Sequence, residues 1–312
     1  MTQSTRPALA EEIVVPGSVA NLGGGFDTLG VAVQLFLRVR LIDVSNDGGT
    51  KLVVRKSTPS VTGENAVERA FNLLAKRLGT KSPSVVVDVD SDIPMAAGLG
   101  SSAAATVAGL RIFERVTGVV PDEVLLSVAA EAEGHADNAA PALFGGLTSV
   151  VEESGRFRAL RWHWPEGLRL VVATPVVGLA TAKARAALPD TLPRKDAIFN
   201  LQRVLSLVHG LQAGDDTHLR AAVQDTWHQP ARAALVPLLR EVLALEDPDA
   251  LGAFLSGAGP SVAVLARREF ARLEQVLASM YARAGCEVTI RTLAVHHVVA
   301  MAGAVSAHGR TV

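Results

Sequence analysis

The chain has 312 residues, 49% hydrophobic and 20% charged, with a formal net charge of −1 and one cysteine. That length buries a large core and suits two domains, and a near-neutral chain without a basic block interleaved with aromatics excludes a nucleic-acid surface. Lone Cys286 excludes a disulfide framework and fits a reducing compartment, Arg169 interrupts the longest apolar run, and polar residues 1–11 offer no signal-peptide core. A cytoplasmic protein with no membrane segment is expected.

Residues 13–15 read as a short strand ended by Pro16-Gly17. Next comes Ser18-Val19-Ala20-Asn21-Leu22-Gly23-Gly24-Gly25-Phe26-Asp27-Thr28-Leu29-Gly30, where three consecutive glycines predict a loop with exposed backbone. Its polar side chains are Ser18, Asn21 and Asp27; taken alone, the segment is equally a flexible turn with Asp27 as a local cap. Residues 31–44 alternate in part and predict one strand or a bent pair, with 51–55 as a hairpin partner across Asp47-Gly48-Gly49. Glu64-Asn65 opens a helix with Val67, Ala70, Phe71 and Leu74 on one face, stopped by Gly79, and 85–89 is a strand.

Ile93-Pro94-Met95-Ala96-Ala97-Gly98-Leu99-Gly100-Ser101-Ser102-Ala103-Ala104-Ala105 then runs into a helix predicted over 103–117. Glycine lets backbone approach a ligand closely, and a helix N-terminus presents free N–H groups and positive dipole charge, so the stretch suits phosphate. It is not a P-loop, because no lysine follows the last glycine. Gly98, Gly100 and Ala103 match a dinucleotide fingerprint, yet the loop does not leave its strand at once. A serine-capped glycine turn and a triphosphate loop of another kind both remain open on these residues alone.

Asp122 caps a further helix through Leu125 and Val128, running into Glu131-Ala132-Glu133-Gly134-His135-Ala136-Asp137-Asn138-Ala139-Ala140-Pro141. The polar and charged groups crowded there point to a site, and a carboxylate is the usual protein ligand for a Mg²⁺ that also holds phosphates. Strands are expected over 147–151, 158–162 and 168–173, and a short helix over 183–188. Long helices are expected over 196–211, 217–227 and 235–245, the last two broken at His228-Gln229-Pro230-Ala231-Arg232. Residues 251–255, the Ser256-Gly257-Ala258-Gly259-Pro260-Ser261 loop, a strand over 262–266, a helix over 269–283 and a last strand over 287–299 complete an α+β chain.

The three glycine segments, in this order and at these separations, resemble the three motifs of the superfamily named for galactokinase, homoserine kinase, mevalonate kinase and phosphomevalonate kinase. The resemblance spans about 13–299. Residues 18–30 and 133–141, and more softly Ala182-Lys183-Ala184-Arg185 and His228-Gln229-Pro230 before Arg232, are similar to the homoserine kinase branch. The resemblance implies a two-domain fold, with a ribosomal-protein-like ATP-binding domain over 12–155 and a ferredoxin-like domain over 156–312, assembled as a homodimer. It implies transfer of the γ-phosphoryl of Mg·ATP to the side-chain hydroxyl of L-homoserine, a step toward threonine. By similarity, Pro94, Met95, Ala96, Ala97, Gly98, Leu99, Gly100, Ser101, Ser102, Ala103 and Ala104 surround the phosphates. Ser102 and Glu133 hold Mg²⁺, with Glu131 as the alternative carboxylate, and His135 lies beside them. Asn21, Asp27, Asn138, Arg185 and Arg232 take the substrate, with Gly257 and Gly259 shaping the site from the second domain. Asn65, at its helix start, is the candidate for the adenine pocket. Asn138, where mevalonate kinases have an aspartate, implies catalysis by positioning and charge neutralisation without a strong side-chain base. The chemistry of homoserine fits this allocation: Asp27 suits its ammonium and an arginine fork its carboxylate.

Overall fold

Val67, Ala70, Phe71, Leu74 and Ala75 recur at helical spacing, and this buried stripe packs the first helix onto the second, with Phe71 edge-on to Phe113 at 5.4 Å between ring centroids. These helices cover a sheet in the computed structural model, which describes residues 12–45 and 49–297. The first part runs β1 (Ile13–Ala20), β2 (Leu29–Ser45), β3 (Leu52–Thr58), α1 (Ala66–Leu78), β4 (Ser84–Ser91), α2 (Ser101–Thr117), α3 (Asp122–Glu133), α4 (Ala139–Phe144), β5 (Leu147–Glu153) and β6 (Arg156–Trp162). Its sheet has the order β3-β4-β2-β5-β6, with β1 antiparallel to β2 off that path.

The second part runs β7 (Arg169–Pro175), α5 (Thr181–Ala186), α6 (Arg194–Ala213), α7 (Leu219–Ala222), α8 (His228–Arg232), α9 (Leu239–Leu243), β8 (Gly252–Leu255), β9 (Val262–Ala266), α10 (Phe270–Arg283) and β10 (Val288–Leu293). The sheet order β10-β7-β9-β8 is antiparallel throughout, the ferredoxin-like pattern of two split βαβ units. The chain therefore has the expected α+β architecture of two sheet-based units.

Several expected elements differ. The first strand does not stop at Pro16-Gly17; it continues to Ala20, absorbing the proline in a register shift. Residues 51–55 do not pair with β2 as a hairpin: β4 lies between, and β3 runs parallel to β4 after the α1 crossover. The helix expected over 217–227 shrinks to α7, because Asp225 accepts from the backbone N–H of Trp227 at 3.0 Å and Gln229 at 2.7 Å. Those same bonds start α8 where a break was expected. Pro237 removes a helical donor from 235–245 and leaves only α9. The last strand ends at Leu293, and residues 298–299 of the expectation, like Asp47, Gly48 and residues 1–11, lie outside the described residues. The β5–β6 hairpin spans Leu147–Trp162, and the expected 155/156 division falls at its turn. Among the described residues, no helix is long and apolar enough to cross a membrane.

Candidate active site

The glycine-rich stretch after β4 is pinned from both units. Ser18 N–H on β1 donates to Leu99 O at 3.1 Å, Leu179 N–H to Ala96 O at 3.0 Å, Ser261 N–H to Ala97 O at 3.2 Å, and Ser256 Oγ to Gly98 O at 2.6 Å. Two positions require glycine. At Gly98 (φ +75°) a Cβ would stand 2.3 Å from Ser256 O, and at Gly100 (φ +71°) one would stand 2.1 Å from Ser18 Oγ. Gly100 is the N-cap of α2 and leaves its side uncapped, no acidic residue occupies the first turn, and Ala104 N–H is the one that returns to Gly100 O. The N–H groups of 101–103 and the positive end of a 17-residue helix thus face a cleft of about 350 Å³.

One wall of that cleft is largely apolar: Leu37, Pro59, Val61, Val67, Val89 and Met95. Asn65 lies in this wall but spends its Oδ1 as the N-cap of α1, accepting from Val67 N–H at 2.9 Å. The other wall carries charge: Asp27, His135, Asp137, Asn138, Arg185 and Arg232. Between them stands Glu133, whose Oε1 accepts from Ser102 Oγ at 3.0 Å and Thr106 Oγ1 at 2.6 Å. Its side chain is only 8% exposed, whereas that of Glu131 is 53% exposed, turned to Arg77 at 3.7 Å and absent from the cleft lining. The alternative carboxylate is thereby placed on the outer surface.

Asn138 is oriented at both ends. Ser18 Oγ donates to its Oδ1 at 2.8 Å, and its backbone N–H and Nδ2 donate to Asp137 Oδ1 at 2.9 and 3.3 Å. Asp137 Oδ1 also accepts from His135 Nδ1–H at 2.5 Å. Burial disfavours the charged His135 ring, but the hydrogen bond and charge of Asp137 outweigh it, so its pKa lies above the ordinary histidine value.

Asp27 and Arg185 meet across 158 residues of sequence in a bidentate pair at 2.8 and 2.9 Å. Expected as one ligand for an ammonium and one for a carboxylate, the two groups neutralise each other in this structure. Arg232 is 2% exposed and spends Nε on Ala184 O at 3.1 Å and Nη1 on Gly257 O at 3.1 Å. Its Nη1 also donates to His228 Nδ1 at 3.3 Å, while His228 Nε2–H donates to Gly23 O at 2.8 Å. A guanidinium only donates and a carbonyl only accepts, so His228 is neutral with its proton on Nε2; burial, its largest influence, holds its pKa low. Burial and then the like charge of Arg185 bring Arg232 down to about 10, still charged at neutral pH. Of the three guanidinium nitrogens of Arg232, Nη2 makes no hydrogen bond to the described residues.

Of the residues expected from sequence, Asn21, Asp27, Asn65, Met95, Ala96, Ala97, Gly98, Gly100, Ser101, Ser102, Ala103, Glu133, His135, Asn138, Arg185, Arg232 and Gly257 line this single cleft. Asn21 Nδ2 and Arg232 both donate to Gly257 O, at 3.0 and 3.1 Å. Pro94, Leu99, Ala104 and Gly259 do not line it. Leu99 and Ala104 are buried behind the loop, and Gly259 backs Gly98, whose Cβ would meet Gly259 O at 2.8 Å. Sequence reasoning missed Phe26, Asp137 and Thr181 in the lining. Asp137 lay within the charged 131–141 segment and Phe26 within the glycine loop, so position alone could have raised both.

The sequence model of the GHMP kinases N terminal domain matches residues 65–146 and that of the GHMP kinases C terminal matches residues 207–284. The chain is 37% identical over 266 residues to the homoserine kinase of Solibacter usitatus, covering 82% of this chain and 85% of that protein. It is 40% identical over 258 residues to that of Deinococcus radiodurans, covering 82% and 84%. The crystal structure of homoserine kinase from Cytophaga hutchinsonii superposes with a TM-score of 0.80 at 28% identity, over 95% of this chain and 97% of that one. Mevalonate kinase, at 14% identity and a TM-score of 0.66, shares the fold. With its phosphate-type loop, its two sheets and these relatives, the chain belongs to the homoserine kinase family of the GHMP kinases.

Proposed function

We propose that the chain transfers the γ-phosphoryl group of ATP to the side-chain hydroxyl of L-homoserine, giving O-phospho-L-homoserine and ADP. The observation that carries this reading is one cleft whose wall passes from the open N-terminus of α2 directly to Asp27, Arg185 and Arg232. Backbone N–H groups and a helix dipole suit a triphosphate; a carboxylate beside two guanidiniums suits an α-amino acid. The apolar wall of Leu37, Val61 and Met95 suits a nucleobase.

In the reaction, the homoserine oxygen forms the new bond to γ-phosphorus while the bond to the β,γ-bridging oxygen breaks. ADP leaves with that electron pair, and the hydroxyl proton is released to water. Residues 98–102 hold the nucleotide chain, and Arg185 and Arg232 fix the substrate carboxylate, so that the hydroxyl lies against Asn138. The amide of Asn138 is no base. Asp137 Oδ1 already accepts from three donors, which supports its role as the anchor that aims Asn138. Rate then comes from positioning and charge neutralisation, which a loose phosphoryl-transfer transition state permits. The donors at Ser102 and Glu133 are hard oxygens, one of them a nearly buried carboxylate, which fits Mg²⁺ held mainly by phosphate oxygens and water. When bound there, Mg²⁺ supplies neutralisation of the phosphate charge.

Coupled ADP release measured with L-homoserine, mevalonate, pantoate and galactose tests the proposal. Release with homoserine alone is expected. Turnover of another alcohol in preference, or nucleotide binding without turnover of any, would overturn it.

A further inference from the structure

Both arginines of the charged wall rest on one aromatic ring that the phosphoryl-transfer reading does not use. The Phe26 ring centroid lies 5.3 Å from Arg232 Cζ and 5.8 Å from Arg185 Cζ. It is backed by Trp227 at 4.8 Å and stacked with His228 at 5.2 Å and 27°. Phe26 is partly exposed and lines the cleft, so its ring is not simply core. The turn that presents it is held by Asn21 Oδ1, which accepts from Asp27 N–H at 3.0 Å, and by positive φ angles at Asn21, Leu22 and Asp27.

We propose that Phe26 is a positioning residue: its ring carries both Arg185 and Arg232 and sets the spacing of their guanidiniums, so that the pair selects a substrate bearing a carboxylate. Two like charges lined up in a half-buried wall repel, and Asp27 neutralises only one of them directly. An electron-rich ring is a neutral surface that attracts both without competing for the hydrogen bonds they must give to a carboxylate. A second carboxylate in its place would instead occupy them. The ring thus holds the fork open for the ligand.

This rests on the homoserine reading above, so the wild type is measured first, with L-homoserine and with L-homoserine amide, whose carboxylate is replaced by a neutral group. The wild type is expected to prefer homoserine. Mono-, tri- and pentafluorophenylalanine at position 26 then weaken the π face while keeping the ring shape. The KM for homoserine is expected to rise stepwise to about tenfold, as two such contacts predict. The KM for ATP, kcat and the KM for the amide stay constant, so the preference narrows. Phe26→Leu follows the same course and Phe26→Tyr restores the wild-type KM. A wild type that does not turn over homoserine overturns the functional reading and this proposal with it. A wild type that prefers homoserine, together with a flat fluorination series, overturns the aromatic platform alone.

Discussion

Substituting Gly100 by alanine strikes the joint between the phosphate loop and Asn138. The backbone there holds φ +71°, and the new Cβ would stand 2.1 Å from Ser18 Oγ, the hydroxyl that donates to Asn138 Oδ1 at 2.8 Å. The left-handed conformation costs an L-residue roughly 1–2 kcal/mol. Displacing Ser18 removes a buried hydrogen bond and leaves its acceptor unpaired, a further loss of about 1–3 kcal/mol. Gly79→Ala separates the two contributions: Gly79 is also left-handed (φ +60°), but among the described residues no atom lies within 4 Å of its added Cβ. Urea unfolding is therefore expected to show Gly100→Ala less stable than Gly79→Ala by the second amount. Steady-state assays are expected to show kcat/KM lost by about a hundredfold in Gly100→Ala, as a misplaced reacting group predicts, and unchanged in Gly79→Ala. Equal stability losses with full activity in both would refute the coupling of loop to Asn138.

Arg185→Met is expected to raise the homoserine KM by an amount worth roughly 2–4 kcal/mol with ATP affinity unchanged. Arg232→Met is expected to do the same and also to lower the urea midpoint, because Ala184 O loses its side-chain donor and Gly257 O keeps only that of Asn21; equal damage to ATP binding would count against both. Glu133→Gln is expected to lose activity that added Mg²⁺ restores only in part, while Glu131→Gln stays active; the reverse ranking would move the metal to Glu131. Because Asp137 raises the folded pKa of His135 above its ordinary value near about 6.5, the charged pair stabilises the fold fully below that pH and its contribution is lost as pH rises through the raised value. Unfolding free energies between acid and mildly alkaline pH should show this slope in the wild type and lose it in His135→Gln; an unchanged slope would show that the pair is not charged.

Local chemistry made the loops legible. Runs such as Gly23-Gly24-Gly25 and Gly98-Leu99-Gly100 announce exposed backbone within a few residues, and the helix starting near Ser101 follows from them directly. Periodicity likewise foretold α1, β4 and α10, whose apolar faces are continuous. What the residues concealed was set by partners far away in sequence. The break after α7 depends on Asn200 Nδ2 donating to Asp225 at 2.7 Å, from a different helix. The Asp27–Arg185 pair joins the two halves of the chain, and each partner read alone looks like a free ligand. The true neighbour of β3 is hidden in the same way, because β4, which separates it from β2, comes later in the chain. Phe26 carries no signal of its own within the glycine loop and Asp137 is one charge among several, since only the assembled cleft shows a ring beside two guanidiniums and a carboxylate gathering three donors.

A crystal structure with a non-hydrolysable ATP analogue and L-homoserine examines the whole scheme at once. Its triphosphate is expected within hydrogen-bond distance of the backbone N–H groups at the start of α2, with the amino-acid carboxylate against Arg185 and Arg232. A nucleotide whose phosphates lie elsewhere in the molecule, with the α2 N-terminus left to solvent, would contradict it.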